Sequence, residues 1–372
     1  MNPDYMRQAL DLARRGLGRT SPNPAVGAVL VRDGAVVGSG FHTYAGKKHA
    51  EILALEEAGE AARGATLYIN LEPCCHEGRT GPCVDALIAA GISRVVAAME
   101  DPNPRVAGQG FARLRQAGIE VELAAEYAEE AAALNEPFVH FMRTGRPLVF
   151  VKAAVTLDGK IAAPDDNRGW ITSEQARAHV QRLRHSSDAI LTGIGTVLAD
   201  DCLLNDRSGL ERSRPLLRVV LDSQLRMPLK SRMVTSARGD LVIATTSAAS
   251  ADRRRALENA GIPIWTIDGP AGRVSLPGVV ERLAQECYLS LMIEAGSRVN
   301  WTALGSGIAD KIFFYYAPKI LGGLQSLPVV GGPGRRRRND AILLRNVKIH
   351  QITAEEFAVE AWLVKSEDQP GE

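Results

Sequence analysis

Short β-rich runs alternate with helix-patterned runs along most of this 372-residue chain, and the alternation breaks only once. The first half extends from the strand-like run at 25–31 to an Ala/Glu-rich helical run at 127–134, and a new strand-like run begins at 148–155. Strands that alternate with helices predict a partly parallel sheet covered by helices. Because the chain also exceeds the usual size of one hydrophobic core, we predict two α/β domains, 1–146 and 147–372.

The composition is that of an ordinary globular protein, with 45% hydrophobic and 23% charged residues. The 44 Lys and Arg residues balance 43 Asp and Glu residues, so the chain has no excess field for a polyanion and we expect no nucleic-acid partner. No apolar run approaches membrane-spanning length. Charged residues interrupt the first turns of the chain, which is unlike a signal peptide. We therefore expect a cytoplasmic protein without membrane association.

The five cysteines do not have the pattern of a disulfide framework. Cys74, Cys75 and Cys83 fall within ten residues, whereas Cys202 and Cys287 are scattered. An odd number with this spacing, in a reducing compartment, favours metal binding or catalysis over cross-linking.

The clustered cysteines belong to a metal-binding pattern. His49 and Glu51 open a helical run. After a strand-like run Cys74 follows a proline, and eight residues separate Cys74 from Cys83. One imidazole and two thiolates fill three corners of a tetrahedral zinc site and leave the fourth for water, which loses its proton near neutral pH when zinc holds it. Glu51 is then the predicted proton carrier between water and a leaving amine. The pattern matches the zinc deaminase signature except for the longer gap between the cysteines.

Several neighbouring residues have more than one interpretation. Cys74 and Cys83 each follow a proline suited to the first turn of a helix, so we expect helix N-termini to favour both thiolates. The alternative is a closed structural zinc site with Cys75 or His76 as fourth ligand; Cys75 is otherwise expected to be a small packing residue. His42 and His76 suit either substrate contact or loop hydrogen bonding. Asn23, between two prolines, suits either contact with a base edge or an Asx turn.

Long motifs in both halves resemble one bacterial family. In the first half they are TSPNPAVG at 20–27, HAE at 49–51, LEPCCHEGRT at 71–80 and DPNPRVAGQG at 101–110. In the second half they are TLDGK at 156–160, WITS at 170–173, TVLADD at 196–201, EAG at 294–296 and APKILGG at 317–323. With these motifs the chain resembles the bifunctional riboflavin-biosynthesis deaminase/reductases over nearly its whole length.

The resemblance implies a cytidine-deaminase-like αβα domain followed by a dihydrofolate-reductase-like α/β domain. The first would hydrolytically deaminate a diamino-pyrimidinone ribosylamino phosphate with one zinc per chain, held by His49, Cys74 and Cys83 beside Glu51. The second would reduce the ribosyl chain to the ribityl chain with NADPH. Weaker candidates for contacts with the base and phosphate in the first domain are Asn23, His42, His76, Arg79 and Asn103.

The second half has no dinucleotide-binding glycine motif after a strand and no Walker A motif, so spacing alone does not give its chemistry. Glycine-rich turns before Thr196 and Ser297 are candidates for binding phosphates. The resemblance implies NADPH contacts at Ala154, Trp170, Thr196, Asp200, Ser223, Gly296, Ser297, Arg298, Val299, Asn300, Trp301 and Thr302. It implies substrate contacts at Arg168, Arg184, Leu204, Arg207 and Glu294.

Three side chains of the second half carry specific expectations. Lys152 is predicted to orient or protonate the sugar oxygen as hydride arrives. Arg184 and Arg207 suit the substrate phosphate. For Arg184 the alternative is a solvated charge on the helix surface.

The second half of the chain departs from the family pattern at three positions. Arg168 replaces a small polar residue, and Cys202 and Ser297 replace prolines. We expect Arg168 to face the substrate, with a solvated loop position as the alternative. The arginine run 335–338 is predicted to be an exposed loop, since the near-neutral total charge does not support nucleic-acid binding by it.

Two other functions remain open at this point. One is a nucleobase or tRNA deaminase fused to an unrelated reductase, although a tRNA enzyme would be expected to carry a basic face. The other is a binding protein with structural zinc. In each case a homo-oligomer, dimer or tetramer, is expected.

Overall fold

The computed structural model describes residues 3–44, 47–76, 81–165 and 167–365. The chain divides into two compact units. Unit 1 comprises Met1–Arg146 with Glu211–Arg214, and unit 2 comprises Pro147–Leu210 with Pro215–Glu372. The four-residue segment that joins unit 1 from the second half of the sequence is a feature that the sequence pattern does not predict.

Unit 1 is built on a five-stranded mixed sheet of order β2-β1-β3-β4-β5. The strands are β1 (Gly27–Arg32), β2 (Ala35–Phe41), β3 (Thr66–Ile69), β4 (Arg94–Ala97) and β5 (Glu120–Leu123). The α-helices are α1 (Pro3–Arg14), α2 (Ala50–Ala58), α3 (Cys83–Ala90), α4 (Gln109–Gln116), α5 (Ala128–Leu134) and α6 (Glu136–Thr144). β1 is antiparallel to β2 and β3, whereas β3, β4 and β5 are parallel.

Both faces of this sheet are buried. Ala28 and Leu30 of β1 pack into one core cluster with residues of α2, α3 and α4, and Val29 and Val31 pack into the other with residues of α1. The alternation follows from the two-residue period of a strand. Gly27 allows α1 to approach closely, because an added Cβ would lie 2.1 Å from the carbonyl oxygen of Ala9. Unit 1 therefore has the expected αβα layers.

Unit 2 is built on a nine-stranded sheet of order β11-β10-β9-β8-β12-β6-β13-β16-β15, with β7 and β14 forming a separate pair. The strands are β6 (Leu148–Thr156), β7 (Lys160–Ala162), β8 (Ala189–Gly193), β9 (Leu217–Leu221), β10 (Leu241–Thr245), β11 (Ile264–Thr266), β12 (Ser290–Ile293), β13 (Lys311–Ala317), β14 (Leu327–Pro328), β15 (Leu344–Gln351) and β16 (Phe357–Leu363). The α-helices are α7 (Glu174–Ser186), α8 (Ile194–Asp200), α9 (Arg232–Thr235), α10 (Ala251–Asn259), α11 (Leu276–Gln285) and α12 (Ser297–Gly305).

The large sheet is parallel from β11 to β13, and β16 and β15 close it as antiparallel strands. Core clusters cover both faces, as expected for a parallel sheet with near-continuous apolar strands. The carboxyl ends of β6, β8 and β12 lie side by side and carry polar residues. This edge is where open α/β sheets bind ligands. Over the residues that the structure describes, no helix is both long and apolar enough to cross a bilayer.

Candidate active sites

Three potential metal ligands of unit 1 converge. His49 directly precedes α2, Cys74 follows β3, and Cys83 is the first residue of α3. One ligand atom from each lies within 4.8 Å of the others. Nδ1 of His49 is 3.2 Å from Sγ of Cys83 and 3.6 Å from Sγ of Cys74. One nitrogen and two sulfurs that face a common point fit a tetrahedral zinc ion with one position left for another ligand.

The two sulfurs differ in their protonation. The hydrogen bond from Cys83 lowers the pKa of Cys74 against the opposing effect of burial, and with the bond to His49 it brings this pKa to about 4. The pKa of Cys83 is raised, because its thiol donates that hydrogen bond and because it is buried. The two cysteines thus share one proton, which a metal ion would displace.

The expected helix start is present at Cys83 and is wrong for Cys74, which lies in a loop. Pro73 does not start a helix, because the chain at this point has just left β3. The start of α3 nevertheless reaches the second sulfur, since the backbone N–H of Cys83 donates to Sγ of Cys74 at 3.4 Å. A helix N-terminus therefore favours the thiolate of Cys74 after all.

Glu51 lies in the first turn of α2 with 3% of its surface exposed. Burial raises the pKa of this carboxyl to about 7. A carboxyl with such a pKa exchanges protons readily at neutral pH. Glu51 is not one of the three clustered ligands, so its position fits proton transfer better than metal ligation.

His42 and Asn23 extend the cluster. The His42 ring lies 5.1 Å from the His49 ring and nearly perpendicular to it. Nδ2 of Asn23 lies 3.0 Å from Nε2 of His42, and Nδ1 of His42 lies 3.2 Å from the carbonyl oxygen of Lys48. Burial lowers the pKa of His42, and the neighbouring His49 lowers it further. A neutral His42 that donates through Nδ1 and accepts from Asn23 satisfies both contacts.

A cleft beside the cluster is lined by Glu72, Pro73, Cys74, Cys75, His76, Asp101 and Val106. His76 is therefore part of the cleft lining. Asn103 is held by Asp101, because Oδ1 of Asp101 accepts the N–H of Asn103 at 2.8 Å. Asp101 is a residue that the motif-based analysis passes over, although it stands in the same DPNP segment as Asn103. Arg79 lies outside the described residues. Cys75 packs against the core cluster of unit 1, as expected for a small packing residue.

Unit 2 contains a buried charged triad made of Lys152 in the middle of β6, Arg184 on α7 and Glu294 directly after β12. Nζ of Lys152 donates to Oε1 of Glu294 at 2.8 Å. Arg184 donates to Oε2 of Glu294 through Nε at 3.1 Å and Nη2 at 2.8 Å, and its Nη1 donates to the carbonyl oxygen of Asn205 at 3.1 Å. Burial alone would raise the pKa of Glu294, but the two cations outweigh it and hold this pKa at about 2. The interpretation of Arg184 as a solvated helix charge is wrong, because the side chain is buried.

Two helix N-termini meet near this triad. A Cβ added at Gly296, which precedes α12, would lie 3.9 Å from Oγ1 of Thr196 in α8. Around them, three buried side-chain atoms have no hydrogen-bond partner among the described residues. They are Oγ1 of Thr192, Oγ of Ser297 and Oδ1 of Asn300. Buried polar atoms without partners are costly unless a ligand satisfies them, so this region suits a polar ligand with phosphate groups.

The other residues predicted in unit 2 are more scattered. Leu204 is buried with a φ of 48°, and Arg207 is exposed. Ser223 follows β9 and accepts the N–H of Val274 at 3.1 Å. Ala154 is half-buried on β6, Asp200 ends α8, and within α12 Arg298 and Thr302 are exposed while Val299 and Trp301 are half-buried.

The three remaining positions lie at the surface. Trp170 is 69% exposed beneath the guanidinium of Arg177. Arg168 is exposed in the segment between β7 and α7. The arginine run 335–338 is exposed, as predicted, and its first member lies 5.8 Å from the Trp301 ring.

Comparison with known protein families separates the same two parts. Residues 2–99 match the cytidine and deoxycytidylate deaminase zinc-binding region, and residues 147–356 match the RibD C-terminal domain. The riboflavin biosynthesis protein RibD of Actinobacillus pleuropneumoniae is 41% identical over 96% of this chain and 94% of its own length. That of Escherichia coli is 44% identical over 87% of this chain and 90% of its own length.

Solved structures give the same result. RibD of Acinetobacter baumannii superposes with a TM-score of 0.86 at 36% identity and covers 97% of this chain and 98% of its own. A diaminohydroxyphosphoribosylaminopyrimidine deaminase/5-amino-6-(5-phosphoribosylamino)uracil reductase of Thermotoga maritima superposes with a TM-score of 0.81 at 34% identity, over 97% of this chain and 98% of its own.

These findings confirm the predicted fold class, the pair of activities and the two cofactors, zinc and NADPH. They also remove the two alternatives, an unrelated reductase fused to a nucleobase or tRNA deaminase and a binding protein with structural zinc. The chain belongs to the RibD family of bifunctional riboflavin-biosynthesis proteins, in which a zinc-dependent deaminase is joined to an NADPH-dependent reductase.

Proposed function

We propose that residues 1–146 deaminate the ring of a diamino-pyrimidinone ribosylamino phosphate and that residues 147–372 reduce the ribosyl chain of the deaminated product with NADPH. The observation that carries this proposal is the presence, in one chain, of a nitrogen-and-sulfur cluster beside a buried carboxyl and of a buried Lys152–Glu294–Arg184 triad. The Thermotoga maritima relative is named for the same two reactions.

In the deaminase, His49, Cys74 and Cys83 would hold one zinc ion. Their donor set fits this metal, and the shared proton of the two cysteines is the one that binding would release. Zinc, when bound, supplies the Lewis acidity that turns water into a nucleophile at neutral pH.

Glu51 would carry the proton of the reaction. Its pKa of about 7 allows the carboxylate to accept a proton from water and the acid to return it to the departing amine. Burial keeps this carboxyl out of bulk water, so the proton it holds is delivered within the site.

Contacts with the substrate in the deaminase would come from Asn23, His42, His76, Arg79 and Asn103. The hydrogen bond between Asn23 and His42 supports this group, because it fixes the amide next to the metal ligands. His76 lines the same cleft as the metal ligand Cys74, which supports a substrate contact next to the metal ligands.

In the reductase, Lys152 would orient and protonate the sugar oxygen, while Glu294 binds the ribosyl hydroxyls and holds Lys152 in place. Arg184 already donates three hydrogen bonds, two to Glu294 and one to Asn205. It would therefore act mainly by holding Glu294 in position. Arg207 is the more accessible arginine for the substrate phosphate. Leu204 and Arg168 complete the proposed contacts.

NADPH would lie across the starts of α8 and α12. The unpartnered atoms of Thr192, Ser297 and Asn300 support this location. The proposed cofactor contacts are Ala154, Trp170, Thr196, Asp200, Ser223 and the segment from Gly296 to Thr302.

We also propose that the protein is a cytoplasmic homo-oligomer, a dimer or tetramer, without a nucleic-acid partner. Five free cysteines suit a reducing compartment, and a net charge of +1 does not favour nucleic acid. The strand β15 forms an edge of the large sheet and exposes Val347 and Ile349. Such an edge readily pairs with another chain.

The test is a single reaction that contains the purified zinc-loaded protein, the diamino-pyrimidine phosphate and NADPH. We expect one ammonia to be released and one NADPH to be oxidised per substrate consumed, with ammonia release continuing when NADPH is left out. Oxidation of NADPH without ammonia release would contradict the proposed order of the two steps.

A further inference from the structure

The carboxylate of Glu72 accepts four backbone hydrogen bonds. Its Oε2 accepts the N–H groups of Asp101 at 3.0 Å and Gly108 at 2.9 Å. Its Oε1 accepts those of Gly110 at 2.8 Å and Phe111 at 3.2 Å. The residue is 5% exposed. A buried carboxylate with four backbone donors fixes the segment that supplies them, since charge-assisted bonds of this kind are among the strongest in proteins.

Glu72 itself belongs to the metal-ligand loop, because it lies two residues before Cys74. The two stretches are in close contact. A Cβ added at Gly110 would lie 2.2 Å from the carbonyl oxygen of Pro73, so no larger residue fits there without moving one stretch from the other. Glu72 therefore ties the segment 101–111 directly to the loop that carries a metal ligand.

The segment held in this way contains residues that face the cleft. Oδ1 of Asp101 accepts the N–H of Asn103 at 2.8 Å, and Oδ1 of Asn103 accepts the N–H of Arg105 at 3.1 Å. Each side chain thus sets the position of the residue two places further on. Asp101 lines the cleft together with His76 and Cys74. The position of Asp101 in the cleft, and that of Asn103 two residues further on, therefore depends on the anchor at Glu72.

We propose that Glu72 is a positioning residue for deamination, which sets the segment 101–111 against the metal-ligand loop so that Asp101 and Asn103 meet the pyrimidine ring. This inference rests on the proposed function, in which Asn103 contacts the substrate. Glutamine in place of Glu72 has the same shape but only one acceptor oxygen. Its amide nitrogen faces two N–H donors, so two of the four hydrogen bonds are lost and their donors are left buried without partners.

The test compares the full-length, zinc-loaded protein with its Glu72→Gln variant. We expect the KM for deamination to rise by at least about tenfold, from the loss of charge-assisted hydrogen bonds, with a smaller change in kcat. The variant should keep the wild-type zinc content. It should also reduce the deaminated substrate with NADPH at the wild-type rate, because the change lies in unit 1 and not in unit 2. The retained zinc shows that unit 1 is folded. Glu57→Gln is the matched control, because Glu57 accepts backbone and side-chain bonds from Ser39 at the surface of the same unit.

Gly110→Ala tests the same contact from the opposite side and should produce the same rise in KM. It also decides the matter if Glu72→Gln cannot be obtained as a folded protein. A deaminase KM within twofold of wild type in a folded, zinc-loaded variant would overturn the inference. Loss of zinc in parallel with activity would also overturn it, since Glu72 would then support the ligand loop alone. If the wild-type protein itself releases no ammonia, the proposed function fails instead.

Discussion

Nζ of Lys152 lies 2.8 Å from Oε1 of Glu294, and side-chain exposure is only 7% for the lysine and 20% for the glutamate. Arg184, also 7% exposed, binds the other carboxylate oxygen. The carboxylate of Glu294, directly after β12, therefore neutralises two buried cations, Lys152 in the middle of β6 and Arg184 on α7. On the proposed function, we expect Glu294 to matter for both the stability and the chemistry of unit 2.

Glu294→Gln should abolish reduction and destabilise unit 2 by about 3–5 kcal/mol, because two buried cations lose their counter-charge. Denaturant unfolding followed by reductase activity measures the second effect, while deamination should stay within twofold of wild type. Glu286→Gln is the control, since its pair with Arg282 lies at the surface and such pairs contribute little. A stability loss no larger than that of the control would contradict the account of the triad.

The same triad predicts a pH dependence of stability. The pKa of Glu294 is lowered from 4.5 to about 2, so its contribution is fully present above the usual pKa and is lost as the pH falls towards the folded value. The difference in unfolding free energy between wild type and Glu294→Gln should be constant from about pH 8 to pH 6 and shrink below about pH 4. Denaturant titrations at several pH values measure it. A difference that instead shrinks between pH 8 and pH 6 would mean that the carboxylate is not held by its cations.

The zinc content of two variants distinguishes the roles of the adjacent residues Cys74 and Cys75. Cys74→Ser should lose zinc, because its sulfur faces His49 and Cys83. Cys75→Ser should keep one zinc per chain, because Cys75 packs against the core cluster. Equal zinc content in the two purified variants would show that the ligand assignment is wrong.

Arg168→Ser should raise the reductase KM by about tenfold or more, the cost of one charge-assisted hydrogen bond to a phosphate, and should leave deamination unchanged. Replacement of the exposed arginines 335–338 by serine is the comparison, and it should leave both activities within about threefold. If Arg168→Ser changes neither reductase constant beyond twofold, the residue is a solvated loop arginine and Arg207 remains as the phosphate ligand.

Much of the fold follows from local patterns in the sequence. The strand-like runs at 217–221 and 241–245 predict two strands, which coincide with β9 and β10. Such runs are recognisable because fully buried strands of a parallel sheet are nearly continuous in apolar residues. The hairpin of β15 and β16 is not predicted. β15 is an exposed edge strand in which Arg345 and Lys348 interrupt the apolar residues, so its strand character comes from pairing with β16.

The candidate site of unit 1 also has one part that the sequence predicts and one part that it does not. The spacing of His49, Cys74 and Cys83 predicts the metal cluster, because zinc chemistry limits the residue types and their number. The contacts of Glu72 leave no such pattern. They join one side chain to backbone N–H groups 29 to 39 residues away, and backbone donors are the same whatever the residue. Asp101 is overlooked for a similar reason, since only the folded chain brings it beside His76.

The central claim is that Glu51 carries protons in a deaminase site that works independently of the reductase. Glu51→Gln should retain one zinc per chain, release ammonia from the diamino-pyrimidine phosphate at least about 100-fold more slowly, and still oxidise NADPH at the wild-type rate when supplied with the deaminated substrate. The decisive measurement is ammonia release by this zinc-loaded variant. Normal release would contradict the role of Glu51, and loss of zinc together with activity would make it a metal ligand.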